Sequence, residues 1–128
     1  MKTISILLLL FTLPFRQGPM DRLIGDWKVQ KLETGAEKLY PTKKEYHLHI
    51  SETGVTYDLE ANGCGTDKFA IDDSTINLTS ICTDRCCEGL KDPISPCLDY
   101  NGRYKLFDSL LTITNSQGTL YLIKVGKQ

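Results

Sequence analysis

Beyond the first twenty residues, apolar and polar side chains alternate with a period of two, the spacing that turns one face of a β-strand toward a core. No window repeats apolar residues at helical spacing, so the chain is expected to be all-β. The first predicted strand, 26–32, puts Trp27 and Val29 on one face. Leu32 to Lys44 then forms a polar connection in which Gly35 and Pro41 argue against regular structure. The second strand, 45–51, sends Tyr46, Leu48 and Ile50 one way and Glu45, His47 and His49 the other. A tight turn over Glu52, Thr53 and Gly54 leads into a third, with Val55, Tyr57, Leu59 and Ala61 as its apolar face. Five more are expected at 66–71, 75–82, 103–107, 110–114 and 119–125, with short turns between most of them.

The hairpin from Thr66 to Cys82 carries an internal conflict. Pairing Ile71 with Thr75 across Asp72, Asp73 and Ser74 sets Cys64 opposite Cys82, at disulfide reach. Placing Phe69 and Ile71 on the same face as Ile76 and Leu78 requires a register one residue away, because a one-residue slip turns a strand over. A bulge at Gly63 or Gly65 would satisfy both demands.

Eight antiparallel strands joined in order close most simply into an up-and-down barrel, which leaves no exposed edge and encloses either side chains or one small ligand. The 128 residues, 41% hydrophobic and 24% charged, suit one such domain. The N-terminus differs from the rest. Lys2 is followed by Ile4, Ile6, Leu7 to Leu10, Phe11 and Leu13, the charged start and apolar middle of a secretory signal. This predicts a signal peptide over 1–20, a barrel domain over 21–128 and no stable membrane span after processing. An uncleaved anchor, or translation starting at Met20, would account for the same pattern.

All five cysteines, Cys64, Cys82, Cys86, Cys87 and Cys97, follow that segment. In an exported chain they read as two bridges and one free thiol, or as an intermolecular link. If Cys64 takes Cys82, Cys97 is expected to take Cys86 or Cys87, giving a disulfide-stapled loop. That loop lies in the strandless stretch 83–102, where Cys86 to Leu90 is expected to make a helical turn.

Several short motifs point to a family. LIGDWKV opens the first strand with Gly25 and Trp27, and Gly63 and Cys64 follow the third strand. Thr79 and Cys82 end the fifth, and YKLFDSLLTITNSQGTLYLIKV closes the chain. The G-x-W start resembles that of lipocalins, and the order of motifs from Leu23 to Val125 resembles the META domain, the HslJ-like family of bacterial envelope proteins. Gly65 stands where that family has Asn after Gly-Cys, and Lys124 stands nearest to the arginine that lipocalins pack on the first-strand tryptophan. The resemblance implies a small lipocalin-like barrel of the periplasm or cell exterior, tied to stress or barrier roles, without catalytic machinery.

The candidate chemistry is sparse. His47 and His49 beside Glu45 resemble part of a metal site, but their face opposes the apolar one and predicts solvent exposure, so no metal is expected. The spacing Cys82, Cys86, Cys87, Cys97 fits no familiar tetrahedral site. There is no G-x-S-x-G elbow and no glycine-rich phosphate loop, so neither catalysis nor a cofactor is expected. Asp72 and Asp73 read as turn formers with near-ordinary pKa values. Asn77 begins a glycosylation triplet. A net charge of -1 with no basic run argues against nucleic acid. Binding remains, at a barrel mouth rimmed by Leu39, Tyr40, Leu90 and Ile94. Three readings follow: an envelope module working through protein or surface contacts, a carrier of a small apolar ligand, and a protease inhibitor presenting the stapled loop.

Overall fold

The computed structural model describes residues 19–59, 63–79, 81–82 and 92–126. The predicted signal segment up to residue 18, Cys86, Cys87, Leu90 and the helical turn expected there lie outside the described residues. After a 3-10 turn at Pro19–Arg22 come eleven strands: β1 Gly25–Glu33, β2 Lys38–Leu39, β3 His47–Ile50, β4 Val55–Asp58, β5 Gly63–Thr66, β6 Phe69–Ile71, β7 Thr75–Leu78, β8 Ile81–Cys82, β9 Gly102–Phe107, β10 Leu110–Asn115 and β11 Gly118–Lys124. A second 3-10 turn, Ser95–Cys97, precedes β9. The described residues contain no α-helix.

All pairings are antiparallel and run β6-β7-β9-β10-β11-β1-β3-β4-β5-β8, with β2 added to β1. The two ends of this path, β6 and β8, follow β5 and β7 after gaps of two residues, so the sheet curls into a nearly closed barrel. Eight strands were expected and eleven are found among the described residues. The expected strand 75–82 is broken into β7 and β8, the expected strand 66–71 shrinks to β6 with β5 added ahead of it, and β2 arises in the supposedly irregular connection. There Thr34 Oγ1 accepts hydrogen bonds from the amides of Ala36 and Glu37 at 3.2 and 3.0 Å. This tight turn folds Lys38 and Leu39 back onto Glu33 and Leu32.

The broken strands resolve the register conflict. Cys64 lies opposite Cys82 in β5–β8, whereas Phe69 faces Leu78 and Ile71 faces Ile76 in β6–β7. Ile71 therefore does not pair with Thr75. The slip falls at 66–68 and not at Gly63 or Gly65. Thr66 stabilises the irregular step, since its hydroxyl accepts the Lys68 amide at 2.7 Å and donates to the Lys68 carbonyl at 2.9 Å.

Period-two patterning does place the core. Trp27, Val29, Leu32, Tyr46, Leu48, Ile50, Val55, Ile76, Leu78, Leu111, Ile113, Leu120 and Leu122 are buried together inside the barrel. With Leu23, Ile94 and Tyr100 they form one packed cluster.

Candidate functional site

The barrel has two ends, and what closes each decides what the molecule can bind. At one end β1 begins and β11 finishes. Trp27 is fully buried there, and its indole N–H donates to the carbonyl of Leu23 at 2.9 Å, so the segment after the first 3-10 turn lies under the barrel as a plug. Trp27 and Lys124 are cross-strand partners, and the Lys124 ammonium sits 5.5 Å from the indole centroid. Gly25 makes this approach feasible. Its φ is +143°, and a Cβ would lie 2.8 Å from the Lys124 side chain. The other signature glycine, Gly63, has open space around it, so no close approach requires it.

The opposite end is where a mouth was expected, and the connection 92–101 covers it. Ile94, expected on the rim, is fully buried in the core. Tyr100 is buried as well, packed against Tyr57 with ring centroids 4.8 Å apart, and its hydroxyl donates to the Asp58 carbonyl at 2.9 Å. Burial pushes the Tyr100 phenol far above its ordinary pKa, so it remains a neutral donor. Of the other rim candidates, Leu39 is half-buried against the core and Tyr40 is 51% exposed.

Asp92 fixes this cover in place. Its side chain is buried, with only 3% exposure, yet its carboxylate accepts the Thr42 and Lys43 amides at 3.1 and 3.0 Å, the Thr42 hydroxyl at 3.2 Å and the Tyr46 hydroxyl at 3.1 Å. Burial on its own would raise the Asp92 pKa and is the largest single influence. The backbone and hydroxyl donors together outweigh it and hold the group below the ordinary carboxylate value. No sequence motif marks Asp92. Its neighbour Pro93 and its distance from the strands give it the look of a loop residue, and only the fold brings it to Thr42, some 50 positions away.

The cysteines divide. Cys64 is buried and disulfide-bonded, and its cross-strand neighbour is Cys82. Cys97 carries a free, half-buried thiol, so the bridge expected from it to Cys86 or Cys87 is not formed. The 3-10 turn that holds Cys97 is tied down by the hydrogen bond from its own amide to the Ile94 carbonyl at 3.0 Å, and needs no staple.

His47 and His49 also part company. His49 is exposed. His47 is half-buried, with Nδ1 3.3 Å from Asp26 and Nε2 3.2 Å from Glu45, and the contact with His47 keeps Glu45 below its ordinary pKa. Both ring nitrogens thus face carboxylates of the same chain. Among the described residues no three ligating side chains converge on a metal position. Asp72 is a turn former, as expected. Its pKa is not near-ordinary, however, because the Ser74 and Thr75 amides donate to its carboxylate at 2.9 and 2.8 Å and lower it.

By its strand order the molecule is an antiparallel β-barrel plugged at both ends. Compared with known proteins, the chain matches no family model, no curated protein and no solved structure.

Proposed function

We propose that the protein is an exported, non-catalytic module of the cell envelope, periplasmic or secreted, that works through its outer surface. The observation that carries this reading is the filled interior, with Trp27 at one end and Ile94, Tyr100 and Asp92 at the other. Such a barrel offers its partners an outside and its loops. The lipocalin-like form of the proposal counts β5 with β6 and β7 with β8 as single bent strands and sets aside the two-residue β2, giving eight in up-and-down order. The ammonium of Lys124 over Trp27 takes the place of the lipocalin arginine and supports that form. A resemblance to the META domain rests on the same strands and on Gly63 and Cys64. We assign the disulfide of Cys64 to Cys82, its register partner, and an oxidised pair suits an exported chain.

The carrier reading has less support, because a ligand would need the volume that Tyr46, Tyr100 and Ile94 occupy. The inhibitor reading loses its staple with the free thiol of Cys97.

Native mass spectrometry of the protein recovered from its own host, without reductant, tests the proposal. The expected species is trimmed before Leu23, contains a Cys64–Cys82 bridge and carries no added organic mass. An untrimmed or Met20-started chain with free thiols would overturn export, and bound organic mass would bring the carrier reading forward.

A further inference from the structure

One stretch of the outer barrel surface is apolar where period-two patterning calls for polar residues. On β9 the outward positions are Arg103, Lys105 and Phe107, and Phe107 is 62% exposed. Phe107 lies opposite Leu110, Leu110 opposite Ile123, and Ile123 opposite Lys28, so the register lays Phe107, Leu110, Ile123 and Lys28 side by side across four strands. Ile123 and, two residues on, Val125 are also exposed, and Leu110 is half-exposed between them. Just past the strand ends, Ile24, Ser109 and Val125 line a shallow depression together with the charged Asp26 and Lys124, at the end plugged by Trp27. Isolated exposed apolar residues need no explanation, but a contiguous apolar row does.

We infer that this end of the barrel lies against a lipid surface, with Phe107, Ile123 and Val125 entering the interfacial layer. Two observations favour lipid over other occupants. First, the apolar run from Ile4 to Leu13 precedes the 3-10 turn Pro19–Arg22, and that turn leads into β1 at this same end. While that segment stays attached, this is the end of the barrel it would hold nearest a bilayer. Second, the row is flanked by Lys28 and Lys105, both exposed, whose long stems can lie along the apolar patch while their ammonium groups reach phosphate headgroups. Lys28 also lies 3.8 Å from the Glu45 carboxylate, and Glu45, Asp26 on β1 and Asp108 in the adjacent turn are acidic groups nearby that limit how deeply this end can sink. The inference deepens the envelope reading by naming the surface contacted, and it is testable whether or not the leader is removed.

The test is co-sedimentation of the host-recovered protein with vesicles of phosphatidylcholine and phosphatidylglycerol, comparing the parent with Phe107→Ser and Ile123→Ser combined. The parent should bind and the double variant should lose at least about five-fold in bound fraction, whereas Ile81→Ser, at an 85% exposed site away from the row, should bind as the parent does. These side chains are exposed and the thermal melt of each variant should match the parent. As a second readout, Phe107→Trp should add an emission component that shifts to the blue on vesicles. Equal binding by parent and double variant, no binding by either, or no blue shift would overturn the inference. A parent that is dimeric in solution while the double variant is monomeric would overturn it too, by assigning the row to a second copy. A trimmed, oxidised protein that ignores vesicles would sink this inference and leave the export reading standing, whereas an untrimmed, reduced one whose vesicle binding needs Phe107 would do the reverse.

Discussion

The two ends of the barrel are closed by different means. The Trp27 end is built on strand residues, with Leu23 from the preceding segment packed beneath them: Trp27 and Lys124 meet because β1 and β11 pair, and Gly25 leaves room for the lysine. The opposite end is closed by a connection held by side-chain bonds at both its ends: Asp92 gathers donors from Thr42, Lys43 and Tyr46, while Tyr100 donates to the Asp58 carbonyl and Asn101 accepts the Leu78 amide. Closure by strands is cooperative with the sheet and fails only when the barrel fails. Closure by a connection depends on a few side-chain bonds and can open by itself.

The strongest way to break this comparison is at the strand-built end. Trp27→Ala should destabilise the whole fold by roughly 4 kcal/mol through lost burial and the cavity left behind, measured as a drop in the midpoint of urea unfolding. If its cost were small and local, the distinction between the ends would be lost. Next, Asp92→Ala should cost roughly 2 kcal/mol, because it leaves the buried Tyr46 hydroxyl and the part-buried Thr42 and Lys43 amides without their acceptor. Its signature should be greater proteolytic sensitivity confined to the connection.

Acid sharpens the comparison further. The folded Asp92 carboxyl titrates below its ordinary value, so its stabilising contribution is complete above about pH 4, the ordinary range of an aspartate, and is lost as pH falls through the folded value. Melting temperatures of the parent and Asp92→Ala should therefore differ near neutrality and converge in strong acid. A gap that stays constant with pH would mean that the carboxylate charge is not what holds the connection. The smallest effect is expected for Lys124→Met, about 0.5 to 1 kcal/mol from the lost cation–ring contact, read in the same unfolding assay.

Much of the strand-built half was legible in the sequence because strand periodicity is local. The buried faces of β1, β3, β10 and β11 follow directly from alternation at Trp27, Leu48, Leu111 and Leu122. Even the conflict between the cysteine register and the apolar register was a true signal, since the fold keeps both and slips between them near Lys68. The strand breaks were not legible, because they depend on hydrogen bonds made by single hydroxyls such as those of Thr66 and Thr34. Least legible was the cover over the far end. Ile94 stands in a stretch without periodicity, where an apolar residue reads equally well as rim or core, and Asp92 is indistinguishable in sequence from a solvent-exposed loop aspartate. The donors that hold Asp92 come from some 50 residues away.

Amide hydrogen exchange of the parent and Asp92→Ala at neutral pH separates the two closures. The variant should lose protection at Thr42, Lys43 and Tyr46 and across the connection from Ile94 to Asn101, while Trp27 to Val29 and Leu120 to Lys124 stay as slow as in the parent. Uniform loss across both ends, or no change at either, would contradict that difference.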